Sequence, residues 1–237
     1  MRSAAIKESR AALAGLIEVL PVFHLDEVTN VRRADNKPLQ LKWAAEEGLR
    51  VPRTLVTNDV DAVCRFADEC VDGLVAKTLS SFVVDRDGDE FAVYTRLVRA
   101  EDLQDTGGLR LSPMQFQELV PKAFDLRCTV VGTSVFTAVL DAPLLDDGCV
   151  DWRIDGHALA NAWQPHVLPA DVEKALLALL NRFGLNYGAI DMVVTPDGEY
   201  VFLEVNPAGE FLWLDKLGGR SISDALAGVL TTTGRRL

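Results

Sequence analysis

The stretch Gly188 to Leu214 reads GAIDMVVTPDGEYVFLEVNPAGEFLWL. It predicts two strands joined by a tight turn at Thr195-Pro196-Asp197-Gly198. The first strand carries Asp191, and the second carries Glu204 and Asn206. Side chains two apart on a strand share a face, so Glu204 and Asn206 point the same way, and pairing across the turn brings Asp191 toward them. Three oxygen donors then converge, two of them carboxylates. A hard divalent cation suits that set, and Mg²⁺ in particular takes few protein oxygens and completes its shell with substrate phosphates. The neighbours are apolar, among them Ile190, Met192, Val201, Phe202 and Val205. Carboxylates inside such a run are costly to bury without compensation, and a metal would supply it. The alternative is an ordinary hairpin whose acids face solvent.

Composition narrows the class. A chain of 237 residues with 49% hydrophobic and 25% charged residues can build one large domain or two small ones around a sizeable core. The net charge of −11 leaves no basic excess to neutralise phosphates along a nucleic acid or to hold an anionic membrane surface, so neither partner is expected. No apolar run reaches the length of a membrane span, and the amino terminus, MRSAAIKESRAALAGLIEVL, mixes charge throughout and lacks a signal-peptide core. Cys64, Cys70, Cys128 and Cys149 show no CxxC spacing and read as reduced, mostly buried thiols in a cytoplasmic protein. The composition leaves a homodimer open.

Outward from the hairpin, the elements alternate in kind. Helical periodicity covers residues 3–20 and stops at Pro21. A second helix spans 36–48, with Asn36 as cap, Pro38 early and Gly48 near its end. Strands are expected at 51–57, 73–79 and 114–120. A helix capped by Asn58 or Asp59 separates the first two. Hairpins are expected at SFVVDRDGDEFAVYTRLV, turning at Asp87-Gly88, and at 125–141, turning near Gly132-Thr133. Residues 144–170 are loop-rich, 171–183 form an amphipathic helix ending at Gly184, and Ser221 to Leu230 form the last helix. Helices interleaved with antiparallel hairpins predict an α+β body of two lobes, divided near 108–114.

Several cations suit phosphates. Lys37 opens a helix, and Lys77 lies inside the apolar strand GLVAKTL, where a lysine needs an anionic partner unless it sits on an exposed edge. Ser80-Ser81 lead into the hairpin with Gly88 at its turn, which can fold over a triphosphate as a lid. Neither GxxxxGK[ST] nor GxGxxG is present. Arg127 and Arg153 are candidate catalytic clamps, because a guanidinium grips phosphate or carboxylate with two parallel hydrogen bonds; a surface ion pair is the alternative for each.

These stretches resemble an ATP-grasp ligase, and most of all the graspetide (microviridin-type) peptide ligases. The resemblance is carried by NKPLQLKWAAEEGLRVPRTLVTND, GLVAKTLSSF, FQELVPKAFDLRCTVVG, VDWR and NYGAIDMVVTPDGEYVFLEVNPAGEFLWLD, and it runs from about residue 30 to 217. It implies an ATP-grasp fold, α+β, with two lobes clasping ATP. It implies that Lys37 and Lys77 meet the ATP phosphates, that Gln117, Glu118, Leu119 and Val120 form the interlobe strand that receives adenine, and that Asp191, Glu204 and Asn206 hold Mg²⁺. It further implies that Asp125 and Arg127 help recognise a precursor peptide carrying a leader segment. Such ligases begin with an additional domain that this sequence does not show. The expected division is therefore a linker helix at 1–29, a small lobe at 30–112 and a large lobe with the metal site at 113–237.

The implied activity is formation of an acyl phosphate on an Asp or Glu side chain of the precursor, followed by attack of a Ser, Thr or Lys side chain to close an ester or amide ring. A RimK-like glutamate ligase shares the same nucleotide motifs, and a truncated, inactive peptide-binding module is a reading from a different class. The absence of any Ser/His/Asp set agrees with a route that needs no enzyme nucleophile.

Overall fold

The computed structural model describes residues 2–80, 83–86, 89–104, 107–142, 150–155, 159, 161–215 and 217–231. Local capping chemistry sets several of the helices. Helix α1 (Arg2–Val19) is followed by α2 (Val28–Ala34), a short helix with no apolar period in its sequence, and α3 (Lys37–Glu46). The Asn36 side chain accepts from Leu39 N at 3.1 Å and starts α3, with a proline in its first turn.

The next segment builds the smaller sheet. Strand β1 (Thr54–Thr57) leads to α4 (Val60–Glu69), whose cap is Asp59. Strands β2 (Leu74–Lys77), β3 (Val83–Arg86), β4 (Asp89–Ala92), β5 (Arg96–Val98) and β6 (Met114–Glu118) follow. The order β1-β6-β2-β5 is antiparallel throughout, while among the described residues β3 and β4 pair only with each other. The expected turn at Asp87-Gly88 lies outside the described residues, as do Ser81 and Cys149. Cys64 is partly exposed, and Cys70 and Cys128 are buried; all three are free thiols.

The larger sheet comprises β7 (Phe124–Val131), β8 (Ser134–Asp141), β9 (Gln164–His166), β10 (Tyr187–Val194) and β11 (Tyr200–Asn206), with α5 (Ala170–Phe183) and α6 (Ile222–Leu230) packed against it. Its order is β11-β10-β7-β8-β9. Helix α5 stops at Gly184, whose φ of 74° is left-handed and readily open only to glycine. One face of the sheet, with Leu126, Cys128, Ile190 and Met192, packs on Leu176, Leu179, Leu180 and Phe183 of α5 and on Leu41 and Ala44 of α3. Each of these large side chains, fully buried, contributes about 1.5–3 kcal/mol over exposure.

The opposite face is divided. Toward one end Val131, Leu140 and Tyr187 form a second core with Leu214 and α6. There Trp152, Trp163 and Trp213 pack mutually, with ring centroids 5.0, 5.3 and 5.1 Å apart. The remainder of that face carries polar residues and lines the cleft between the sheets.

Two features depart from the expected division. Strand β6, placed by the sequence at the start of the large lobe, is hydrogen-bonded between β1 and β2, and the chain crosses to the larger sheet only after Pro121. Helix α3, assigned to the small lobe, packs its apolar side into the core of the larger sheet. Burial rather than sequence order decides both. Among the described residues no helix is long and apolar enough to cross a membrane.

Candidate nucleotide and metal site

The cleft cations come from both sheets. Lys37, at the first position of α3, puts its Nζ 3.0 Å from Glu204 Oε2. Lys77 ends β2, which is flanked by β6 and β5, so it does not lie on a sheet edge. It lines a polar cleft of about 410 Å³ together with Lys37, Ser80, Arg153, Glu204 and Asn206. Burial pushes the Lys77 ammonium below the usual lysine range, with Glu204 opposing and Lys37 reinforcing the shift. No carboxylate among the described residues forms an ion pair with Lys77; Glu204 acts on it through its charge.

Arg153 reaches the same place by another route. Asp151 grips it in a fork, accepting from Nε at 2.7 Å and Nη2 at 2.6 Å, which leaves Nη1 3.5 Å from Glu204 Oε1. The same Asp151 accepts from Thr95 N at 3.1 Å, tying the segment before β5 to the larger body. Burial alone would raise Glu204, but Lys37, Lys77 and Arg153 outweigh it and hold the carboxyl below its usual range. Three cations around one carboxylate make the cleft anion-seeking in a protein of net charge −11.

The hairpin register brings the three residues expected at a metal close together. Asp191 lies opposite Glu204, and Ala189 opposite Asn206. The ladder slips between Asp191 and Met192, because Leu203 is an extra residue in β11. Such a bulge re-aims side chains. Here Leu203 lines the cleft beside Glu204 instead of alternating away from it. Asp191 is 7% exposed and Arg127, its register partner on β7, is 5% exposed. Arg127 Nη1 donates to Asp191 Oδ1 at 2.9 Å. Burial nonetheless raises Asp191 above the usual carboxylate range, with the Glu204 charge adding to it and Arg127 opposing.

Among the described residues no group of three His, Cys, Asp or Glu side chains forms a closed cage. Two adjacent carboxylates and an amide, at the wall of a cleft lined by cations, are instead an open, oxygen-only set. It fits a hard divalent cation that takes its remaining ligands from phosphate.

Next to the polar cleft lies an apolar pocket of about 200 Å³, lined by Pro52, Val75, Val193 and Leu203 and by the segment Gln117, Glu118, Leu119 and Val120. Lys77 lines both pockets. The interlobe strand is pinned by Glu118 N donating to Arg53 O at 3.0 Å and Leu119 N to Gly73 O at 2.9 Å. Gln117 is buried, and its Nε2 donates to Thr54 Oγ1 at 3.0 Å.

The two residues expected at the peptide sit deeper than that role suggests. Asp125 is 3% exposed and paired with Lys122 at 2.7 Å; burial raises it and Lys122 opposes. Besides Asp191, Arg127 donates to Glu210 O at 3.2 Å, under the loop that follows β11. Gly209 permits that closeness: a Cβ there would fall 2.5 Å from Ala189 Cβ and 2.7 Å from Arg127 Nη2. Direct contact of Arg127 with a peptide carboxylate is therefore not what this geometry offers. Its two terminal nitrogens are taken by a neighbouring strand and a loop.

Sequence reasoning also missed Asp151 and Thr95. The repetition of Asp-x-Arg at 151–153 after 125–127 was a usable signal for Asp151; Thr95 acts through its backbone and left none.

No protein-family model matches the chain, and comparison with curated proteins finds no match. Solved structures do match. The macrocyclase MdnC of Microcystis aeruginosa MRC, bound with precursor peptide MdnA, is 44% identical with a TM-score of 0.86, covering 98% of this chain and 70% of that one. A Chryseobacterium gregarium RiPP-associated ATP-grasp ligase, in complex with ADP and a leader and core peptide, is 39% identical with a TM-score of 0.91, covering 97% and 69%. MdnB, a macrocyclase of the same Microcystis strain, is 37% identical with a TM-score of 0.77, covering 97% and 70%. With this sheet order, this cleft and these likenesses, the chain belongs to the ATP-grasp ligases that include the RiPP macrocyclases.

Proposed function

We propose that this chain is an ADP-forming ligase that activates Asp or Glu side chains of a precursor peptide and closes ester or amide rings within it. The observation that carries the reading is the convergence of Lys37, Lys77 and Arg153 on Glu204, beside Asp191 and Asn206, in a polar cleft adjoining an apolar pocket. A nucleoside triphosphate has that division of character: an apolar base and a polyanionic tail.

The base occupies the pocket of Leu119, Val120 and Leu203, and the phosphates reach Lys77 and Lys37. Ser80, exposed at the cleft wall, contacts the phosphate tail from the small-sheet side. Asp191, Glu204 and Asn206 would hold Mg²⁺, which would supply charge neutralisation at the phosphates. A carboxylate oxygen of the peptide then attacks the γ-phosphorus; the bond to ADP breaks, and the acyl phosphate keeps the phosphoryl group. A hydroxyl or amine of the same peptide attacks the acyl carbon, inorganic phosphate leaves, and the nucleophile gives up its proton. Lys37, Lys77 and Arg153 offset charge as it shifts toward the leaving ADP, which is positioning and electrostatics rather than covalent catalysis. Arg127 serves by holding Asp191 and the 207–211 loop in place, and Asp125 by fixing Lys122 beside the apolar pocket.

The test is incubation with Mg-ATP and a precursor peptide carrying its leader. ADP release with loss of one water per ring from the peptide is expected. ADP release with mass gain by added glutamate would favour the RimK-like alternative, and no nucleotide turnover with several candidate precursors would overturn the reading.

A further inference from the structure

Strand β11 is the outer strand of its sheet, so its outward-facing N–H and C=O groups have no further strand to pair with. Two groups from outside the sheet cover that edge. Arg50 bridges to Val201, and its carbonyl accepts from Phe202 N at 2.8 Å. Farther along, the side chain of Gln40 does the same for Val205. Its Oε1 accepts from Val205 N at 3.0 Å, and its Nε2 donates to Val205 O at 2.8 Å. One carboxamide thus satisfies both outward groups of a residue, as a neighbouring strand would. Nε2 also donates to Ala34 O at 2.5 Å, at the end of α2. Gln40 is 2% exposed, a polar side chain in the core of a helix–sheet interface.

Val205 is the residue between Glu204 and Asn206. We infer that Gln40 is a positioning residue for the metal-binding strand: by clamping the backbone at Val205 it sets the height of the Glu204 and Asn206 donors, and through them the affinity for the divalent cation. This rests on the reading of Glu204 and Asn206 as metal donors given above.

Three observations point beyond simple filling of an edge. The ladder to β10 slips at Leu203, directly before Glu204, so the inner side of the strand is least regular where the donors need most support. Lys37 lies three residues before Gln40, on the same side of α3, and pairs with Glu204; one helix face therefore grips both the side chain and the backbone of this strand. The two grips also differ in kind. The Lys37 pair holds a side-chain carboxylate, whereas the Gln40 clamp holds main-chain atoms. Groups that orient metal ligands in this indirect way typically change metal affinity by about 10–100-fold when removed.

The experiment uses Mn²⁺ as probe and ADP as nucleotide. Gln40→Met keeps the length and apolar stem of the side chain and removes its hydrogen bonds. Mn²⁺ affinity of the ADP complex is measured by electron paramagnetic resonance, ADP affinity without metal by calorimetry, and folding by thermal melt. The expected result is a folded variant with unchanged metal-free ADP affinity and a loss of about tenfold or more in Mn²⁺ affinity. Unchanged Mn²⁺ affinity, or an equal loss of metal-free ADP affinity, overturns the proposal. Glu204→Gln is the parallel control: parental Mn²⁺ affinity in that variant would sink the metal-site reading itself, a different failure. If Gln40→Met does not fold, Gln40→Asn keeps the amide one carbon short of Val205 and must show the same split. In the parental chain, slow hydrogen exchange of the Val205 amide supports the clamp and fast exchange refutes it.

Discussion

Replacing Arg127 with Met removes a buried cation while keeping most of its stem. Its side chain and that of Asp191 are 7% and 10% exposed. The pair is thus far from the surface regime in which an ion pair contributes about 0–1 kcal/mol. Breaking a buried pair by removing one partner costs about 3–5 kcal/mol, because the remaining charge is stranded. The hydrogen bond to Glu210 O disappears in the same step. Against a total stability of about 5–15 kcal/mol for a domain, that is a large fraction.

The loss should depend on pH in a definite sense. Burial already raises Asp191, and the raised value means the folded state holds its proton more tightly than the unfolded chain does. Stability from such a group is present at low pH and is lost as pH rises through the folded value. Removing Arg127 takes away the opposing charge and raises Asp191 further, so the deficit of the variant should be largest at neutral pH and shrink in mild acid, where Asp191 takes up a proton. Urea unfolding of the metal-free protein at the two pH values measures both quantities. Asp191→Asn in the variant background should recover part of the loss at neutral pH. A deficit under about 1 kcal/mol, the surface-pair range, would refute the reasoning, and so would a deficit independent of pH.

The nucleotide site predicts that ADP with Mg²⁺ at about a hundred times its dissociation constant adds roughly 2.7 kcal/mol, or about 5–10 °C in a thermal melt. No shift would count against the site as a whole. Glu204→Gln should fold yet release no ADP in the presence of peptide, since it removes a carboxylate that Lys37 and Arg153 both contact; parental turnover would remove Glu204 from the metal set. Gly209→Ala should destabilise the protein by about 1–3 kcal/mol, because the added methyl collides with Ala189 Cβ, which cannot rotate away. An unchanged unfolding midpoint would show that the 207–211 loop yields more easily than its packing suggests.

The helix boundaries were legible because capping is local. Asn36, Asp59 and Ser221 each accept a backbone N–H at the start of their helices, and Gly184 ends α5, all within a few residues of sequence. The shared face of Glu204 and Asn206 followed from alternation alone. Long-range register did not. Nothing in DLRCTVV or YGAIDMVV says that Arg127 will lie opposite Asp191, so the arginine read as a substrate clamp rather than a buried partner. The bulge at Leu203 leaves LEVN looking like plain alternation. Helix α2 went unread because VTNVRRA has no apolar period and begins with a β-branched pair; it is held by packing instead. Gln40 sits in a helix-forming run whose pattern gives no hint that its amide completes a distant strand.

The cleft is unequally shared between its two walls. Glu204, Asp191 and Asn206 belong to the larger sheet, Lys37 arrives on a helix fastened to that sheet, and Arg153 rides on the turn bolted down by three tryptophans. Among the described cleft cations, Lys77 alone hangs from the smaller sheet. A hinge at the Leu119–Pro121 crossing would therefore carry away one charge and leave the rest of the electrostatic apparatus assembled. The larger body thus carries most of the dock, and the smaller sheet adds Lys77 together with about half the walls of the apolar pocket.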